Sequence, residues 1–451
     1  MRRIPVAITI AGSDSGGGAG IEADLKTFSV MGVHGTVALT SITAQNTVDV
    51  FAVQDVNLDI IGKQIDVVFE DMGIDAAKTG MLHRSEVIEL VARKVREYKF
   101  PLVVDPVMVA KGGARLLKPE AEGSMRRDIL PVATIVTPNI FEAEVLSGVK
   151  ISTLADMKAA AKKIAELGPK AVVVKGGHLK NGGATDVVYI DGNFHELRGE
   201  RIETKATHGT GCSFSAAIAA QLAKGRSIIE ALQEAKRFIE VAIKYGFNIG
   251  GGYGPVNPAA WLELDAERYR VLENLSEAIK ILESHPVAKL IPEVGSNLVM
   301  ALPKPYVKSI NDVAGIPGRL VKIDDKVFAL KSPAFGASRH VARIVLKAME
   351  YGEEFRAAMN IKYSKEVVET CKALGLTVSS FDRSEEPSEV KTVEGESLPW
   401  GVGRAVEKAG KVPDVIYDLG DVGKEPMVRI LGRNAVEVVN KVLAIASKLS
   451  D

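Results

Sequence analysis

One of the two cysteines in the chain stands in the run ATHGTGCSFSAAIAAQL, residues 206–222, directly behind a Gly-Thr-Gly turn and ahead of an apolar, alanine-rich segment. If that segment is a helix, the backbone N–H groups of Gly209, Thr210, Gly211 and Cys212 lie in its first turn. They lack intrahelical acceptors there and could hold an anion. A thiol at a helix N-terminus can also have a depressed pKa, so Cys212 could be a thiolate near neutral pH. The plainer alternative is a small residue packed behind a tight turn. A second glycine-rich loop, GSDSGGGAG at residues 12–20, carries Asp14 and leads into a segment with Asp24.

Two familiar phosphate motifs are absent. A dinucleotide fold wants an acidic residue about twenty positions beyond its glycine loop, and a P-loop wants Gly-Lys-Ser/Thr. The pair of glycine loops fits a small-molecule kinase better, with one loop near the acceptor and the other around the transferring phosphoryl group. Lys plus Arg and Asp plus Glu number 57 each, so global charge points to neither nucleic acid nor a membrane surface as partner. Two cysteines without a C-x-x-C pair, and seven scattered histidines, leave no zinc or disulfide framework visible. The opening MRRIPVAITIAGSDSGGGAG reads as a first strand entering a loop rather than a signal peptide, and no apolar run is long enough to span a bilayer. A reducing, cytoplasmic setting is expected.

At 451 residues and 46% apolar content, the chain should hold two domains or three. From residue 4 to about 260, β-branched runs (VAITIAG, TVALTSIT, LVVDPVM, ATIVTPN, AVVVKGG) alternate with segments of helical period. That is the pattern of an α/β domain, a mostly parallel sheet flanked by helices, in which ligands sit beyond the carboxyl ends of strands. The passage NIGGGYGPVNP at 248–258 suits a domain end with a linker after it, giving domains 1–264 and 265–451. The second, smaller domain reads as α/β or α+β. It opens on a helical segment at 265–284, followed by a hairpin in RLVKIDDKVFAL, helices near 339–351, 365–374 and 434–449, and a strand in AAMNIKY. Residues 383–401 are expected to form a solvated loop.

The ordered motifs ITIAGSDSGGGAGIEADLKTF, TAQNT, KTGML, DPVM, TPNIFEAE, KGGH and THGTGCSFSAAIAA together resemble the hydroxymethylpyrimidine and hydroxymethylpyrimidine-phosphate kinases of thiamin synthesis, in the ribokinase-like superfamily. The resemblance implies two successive ATP-dependent phosphorylations ending in the pyrimidine pyrophosphate. It implies that Gly12, Asp24 and Gln45 read the aminopyrimidine between apolar walls from Met81 and Val107. The alternatives are that Asp24 merely charges a helix's first turns and Gln45 caps a loop. Asp105 and Glu142 are then candidates for Mg²⁺, Asn139 with Gly209, Thr210 and Gly211 for phosphate, and Lys175 for the transferring group. Aspartate is the base after Gly-Thr-Gly in many ribokinase-like enzymes. Here Cys212 is either base or proton relay, or completes the anion hole through its backbone. His208 stays unassigned, and a homo-oligomer through this domain is open. Pyridoxal-type vitamin kinases are the rival family, against which Gln45 and Cys212 speak.

Residues from about 273 to 450 resemble the thiamin-phosphate synthase domain that occurs fused to this kinase, through ESHPVAKLIPEVGSNLVMALP, VAGIPGRL, FGASRHVARIVL and YDLGDVGKEPM. That implies condensation of the pyrimidine pyrophosphate with thiazole phosphate, for which cations must meet the leaving pyrophosphate. Arg319 after the tight GIPG loop and His340 are the catalytic candidates, with Ser338 as helix N-cap and Arg339 beside it on phosphate. Cations at a helix N-terminus oppose its dipole, which favours a functional reason for them. Asp418 and Asp421 either hold Mg²⁺ or shape a turn. The rival from another class is a non-catalytic, ligand-sensing module; no helix-turn-helix or basic stretch supports DNA binding.

Overall fold

The computed structural model describes residues 3–110, 112–177, 179, 183–421 and 423–449. The chain divides into two compact units, Met1–Leu262 and Glu263–Asp451.

In the first unit, β1 (Val6–Ala11), β2 (His34–Leu39), β3 (Ser41–Gln45), β4 (Val50–Asp55), β5 (Ala76–Thr79), β6 (Leu102–Val104), β7 (Ile135–Val136), β8 (Ala171–Val174), β9 (Asp186–Ile190) and β10 (Asn193–Leu197) follow in chain order. Eight of them form one sheet in the order β10-β9-β8-β7-β6-β5-β1-β2, parallel from β8 to β2 and antiparallel at the β9 and β10 edge. Every residue of β1 and β8 is buried, as a parallel sheet covered on both faces requires. One face packs on helices Leu58–Asp71, Ser85–Tyr98 and Leu154–Ala165, the other on Gly20–Val30, Thr210–Ala223 and Ile228–Lys244. Phe28, Phe214 and Phe238 are almost wholly buried there, each contributing about 1.5–3 kcal/mol. The run TVALTSIT, expected as one strand, breaks at Thr40. That residue donates its hydroxyl to the Met81 carbonyl at 2.7 Å, and the chain continues as the separate hairpin β3–β4.

The second unit holds β11 (Leu298–Ala301), β12 (Val313–Gly315), β13 (Leu320–Ile323), β14 (Lys326–Ala329), β15 (Ala334–Phe335), β16 (Ala357–Lys362), β17 (Val378–Ser380), β18 (Val415–Asp418) and β19 (Met427–Gly432). Seven form a sheet in the order β15-β12-β11-β16-β19-β18-β17, antiparallel except for β17 beside β18. The β13–β14 hairpin stands apart. Helices His340–Tyr351, Lys365–Ala373 and Ala435–Lys448 lie where the helical period puts them.

Two segments differ from their expected form. The helix expected at 265–284 begins earlier, as Ala260–Glu283, and takes in the residues expected as linker. Residues 383–401 contain two short helical turns and the start of helix Ser397–Ala409, whose Pro399 sits in the first turn, where its missing N–H costs no hydrogen bond. Among the described residues no helix is long and apolar enough to cross a membrane.

Candidate active site

The loops that leave the carboxyl ends of β1, β5, β6, β7 and β8 meet the start of helix Thr210–Ala223 around a cavity of about 1340 Å³. Gly12, Gln45, Met81 and Val107 line it on one side. Asp105, Asn139, Glu142, Lys175 and residues 209–212 line it on the other. His178 of the KGGH motif lies outside the described residues.

On the first side, a Cβ at Gly12 would lie 2.5 Å from Met81 Cε, so glycine is what lets the methionine form the wall. Asp14 shapes the glycine loop as an Asx turn, its carboxylate accepting the N–H groups of Gly16, Gly18 and Ala19 at 2.8–3.0 Å. Burial pushes the Asp14 carboxyl up, but His208 and the loop N–H groups outweigh it and hold the group below the usual carboxylate range. The His208 Nε2 atom donates to Asp14 Oδ2 at 2.9 Å and lies 3.3 Å from Gln45 Nε2, so the imidazole stands between the glycine loop and Gln45. His208 was unassigned from sequence. The aspartate in a glycine cluster was the signal that could have marked its partner.

Asp24 requires a correction. It is wholly buried and absent from the cavity wall, accepting Lys78 Nζ at 2.8 and 3.0 Å and the Thr9 hydroxyl at 2.6 Å. Its carboxylate is committed to a buried ion pair and does not face a pyrimidine. Burial works against the Lys78 ammonium, yet Asp24, with Cys212 and Asp105 near it, keeps it protonated.

On the second side, Gly209 takes φ +78°, and a Cβ there would stand 1.8 Å from the Gly18 carbonyl oxygen. The helix start is thereby pressed against the first glycine loop. A Cβ at Gly211 would be 3.3 Å from both Lys175 Nζ and Asp105 Oδ2, which places the open first turn directly at the Lys175–Asp105 pair, itself 3.1 Å apart. Asn139 and Glu142 form a reciprocal capping box at the start of helix Ile140–Ser147. Burial pushes the Glu142 carboxyl up to about 7, against the pull of Lys175. Burial opposes the Lys175 charge too, but Asp105 and Glu142 hold it protonated.

Of the two alternatives for Cys212, a thiolate near neutral pH is the one its surroundings disfavour. Burial pushes its thiol up to about 11, and Asp24 and Asp105 add to this, outweighing Lys78 and the Gly20 N–H. Alkylation of Cys212 by iodoacetamide, mapped by mass spectrometry, should therefore be slow at neutral pH and accelerate until about pH 11. Full-rate alkylation at pH 7 would mean that the helix terminus dominates after all.

In the second unit, Arg319 follows Gly318 in the loop after β12, exposed, with φ +70°, and donates to the Val294 carbonyl. Asn297 anchors that loop through both the N–H and the carbonyl of Ile316. Ser338 is not the N-cap. Arg339 precedes helix His340–Tyr351 without a side-chain cap, and both Arg339 and His340 are exposed. A Cβ at Gly315 would lie 3.1 Å from Ser338 Cβ, so this helix starts beside the strand end from which the Arg319 loop leaves.

Asp418 is fully buried between two guanidinium groups, with Arg383 Nε and Arg429 Nη1 each at 2.6 Å. Its one negative charge is shared by these two cations and is not available to a metal ion. Asp421 instead belongs to a tight turn, exchanging backbone hydrogen bonds with Lys424. Among the described residues no group of three or more His, Cys, Asp or Glu could hold a metal. Arg383 and Arg429, absent from the sequence reading, line or support a cavity of about 550 Å³ that also has Arg404, Lys408 and Tyr417 in its wall.

The first unit has the fold of a vitamin kinase. The crystal structure of an ADP complex of Bacillus subtilis pyridoxal kinase matches 57% of this chain and 98% of its own, at 45% identity and a TM-score of 0.54. The pyridoxal kinase of Staphylococcus aureus with AMP-PCP and pyridoxal matches 57% and 95%, at 38% identity and the same TM-score of 0.54. Residues 14–257 fit the family model for phosphomethylpyrimidine kinase and residues 274–444 that for thiamine-phosphate synthase ThiN. The bifunctional thiamine biosynthesis protein ThiDN of Methanocaldococcus jannaschii is 36% identical over 447 residues, 98% of each chain. The hydroxymethylpyrimidine/phosphomethylpyrimidine kinase of Bacillus subtilis is 47% identical over 257 residues, 56% of this chain and 95% of its own. The chain belongs to the family of bifunctional thiamine biosynthesis proteins, with a phosphomethylpyrimidine kinase domain and a thiamine-phosphate synthase domain. It is a transferase of thiamine biosynthesis whose kinase domain uses ATP.

Proposed function

We propose that the first unit moves the γ-phosphoryl group of ATP to the hydroxyl of hydroxymethylpyrimidine and then phosphorylates the monophosphate, and that the second unit joins the resulting pyrophosphate to thiazole phosphate. The observation that carries the kinase reading is the meeting, in one cavity, of the open helix start at 209–212, the Lys175–Asp105 pair and the Gln45 amide. Gln45 both donates and accepts, which suits an aminopyrimidine edge, while Met81 and Val107 flank the ring. The N–H groups of the first helical turn, with Lys175, take the transferring phosphoryl oxygens.

Asp105 and Glu142 are the carboxylates we assign to Mg²⁺, through water. Magnesium keeps several waters and needs only one or two carboxylates besides substrate phosphates, so two acidic groups without a third fit it. When bound, it supplies charge neutralisation between the phosphates. Phosphoryl transfer passes through a loose transition state in which the acceptor proton leaves late, so a strong base is not required. Cys212, protonated near neutral pH, acts through its backbone.

In the second unit the C–O bond to pyrophosphate breaks as the thiazole nitrogen forms the new C–N bond, and Arg319 with His340 takes the charge that gathers on the departing pyrophosphate. Arg339 and Ser338 sit at the same helix start and are assigned to its phosphates.

Two assays test this. With ATP and Mg²⁺, hydroxymethylpyrimidine and pyridoxal are supplied separately and the phosphorylated products measured; transfer to pyridoxal alone would replace the pyrimidine reading, and the two pyridoxal kinases among the similar structures make that arm necessary. In the second assay, Arg319→Ala and His340→Ala should each lower thiamin phosphate formation by about 10²-fold while the pyrimidine pyrophosphate accumulates. Arg319→Lys should already be impaired, because an ammonium does not reproduce two parallel donors. Parent-rate synthesis by these variants would remove both residues from the site; tight binding of thiamin phosphate without synthesis by the parent would make the unit a sensor.

A further inference from the structure

The hairpin β3–β4 that carries Gln45 is separate from the main sheet, and two strands alone are marginal in water. The first glycine loop holds its base, Ser15 Oγ accepting the Gln45 N–H at 2.8 Å and donating to the Gln45 carbonyl at 2.7 Å, but the tip beyond Gln45 needs a support of its own. The segment 248–254, expected only to end a domain, meets the tip of that hairpin. Thr47 accepts the Gly252 N–H on its hydroxyl at 3.2 Å and the Tyr253 N–H on its carbonyl at 3.0 Å. The fit leaves no room for side chains: a Cβ at Gly250 would stand 2.3 Å from Thr47 Oγ1, and one at Gly252 would stand 2.1 Å from the Thr47 carbonyl oxygen. Tyr253 then lines the cavity itself.

The same segment reaches Gln45 from the other direction. Gly254 accepts the His208 N–H at 2.9 Å and Val256 donates to the His208 carbonyl at 3.0 Å, while the His208 ring touches both Gln45 and Asp14. Gln45 sits between these anchors, two residues from Thr47, where the hairpin register shifts at Ala44 and Gln45. A glycine run whose sequence says only "flexible" thus grips the acceptor-reading residue on two sides.

We propose that Thr47 and residues 250–254 form a latch that holds the hairpin over the acceptor half of the kinase cavity, setting acceptor affinity and keeping water from the transferring phosphoryl group. Thr47 is a positioning residue in this scheme. With the latch open, water replaces the alcohol: the bond from the γ-phosphorus to the bridging oxygen breaks, the water oxygen bonds to phosphorus, its proton passes to solvent, and ADP and phosphate result. The inference rests on Gln45 being the acceptor-reading residue.

The test uses the full chain with hydroxymethylpyrimidine, ATP and Mg²⁺, comparing Thr47→Ala, Thr47→Ser, Gly252→Ala and Gln45→Ala. Thr47→Ala and Gly252→Ala should raise the acceptor KM by about tenfold or more, as displaced positioning groups do. The KM for ATP should change by less than about twofold, because the nucleotide side is not touched. ADP release should exceed acceptor phosphorylation in both, and Thr47→Ser, which keeps the hydroxyl, should restore parity. If Gly252→Ala does not fold, the Thr47 pair decides alone. An unchanged acceptor KM with parity in Thr47→Ala, while Gln45→Ala is impaired, overturns the latch and leaves the acceptor reading standing. An unimpaired Gln45→Ala overturns both.

Discussion

Replacing Lys175 with methionine will lower kcat of both kinase steps by on the order of 10³-fold, with the acceptor KM changed only severalfold. The ammonium lies 3.1 Å from Asp105 and faces the open turn at Gly211, where the γ-phosphoryl group is to be held. Burial would neutralise an isolated lysine there, but Asp105 and Glu142 keep it charged, so the charge is in place before the reaction begins. A preorganised donor of this kind, lost from a water-poor site, costs about 3–4 kcal/mol in the transition state. Methionine keeps most of the stem's volume, which limits the packing loss. By contrast, Cys212→Ala keeps the backbone N–H and should retain turnover within about tenfold, less than the loss of a general base would give. Steady-state kinetics beside thermal unfolding check both. A loss for Lys175→Met below about tenfold would reduce the lysine to a strut for Asp105.

The largest stability effect is expected at Asp418. Its single negative charge is shared by Arg383 and Arg429, and both guanidinium groups lie against the Phe381 ring, at 5.5 and 5.6 Å from its centre. Asp418→Ala would leave two buried cations without a counter-charge, a loss of about 3–5 kcal/mol. Asp418→Asn, which still offers an oxygen, should lose less. Trp400 packs edge-on against Phe381, so its fluorescence in urea reports this unit's unfolding. Burial pushes the Asp418 carboxyl up, but Arg429 and Arg383 pull it below its ordinary value. Its contribution is therefore complete above the usual carboxylate pKa and is lost only as pH falls below that range. Stabilisation of the parent by Mg²⁺ that disappears in Asp418→Asn would instead return this aspartate to a metal site.

The strands and their chemistry-bearing loops were legible because a parallel sheet buried on both faces writes continuous apolar runs, and the polar residues at their carboxyl ends stand out against them. Asp105, Glu142 and Lys175 stand at such strand ends, whereas Gln45 and Met81 came only from the family resemblance; all five line one cavity. What failed depended on partners distant in sequence. Asp24 looks like a ligand until Lys78, 54 positions away, is seen to neutralise it, and Asp418 looks like one until Arg383, 35 positions away, does the same. The two alternatives for Cys212 stayed open for a related reason. A helix start is visible in sequence, whereas the burial and the two aspartates that raise the thiol pKa are assembled only by the fold. The glycine run at 248–254 read only as a domain end, because the Thr47 residue it packs against lies some two hundred residues earlier, at a separation of 205.

The most direct test supplies the purified chain with hydroxymethylpyrimidine, thiazole phosphate, ATP and Mg²⁺ and measures thiamin phosphate by mass spectrometry. The expected result is its formation, with the pyrimidine monophosphate and pyrophosphate appearing first and in that order. Formation of the pyrimidine pyrophosphate without thiamin phosphate would contradict the synthase half, and failure to phosphorylate the pyrimidine at all would contradict the account from its first step.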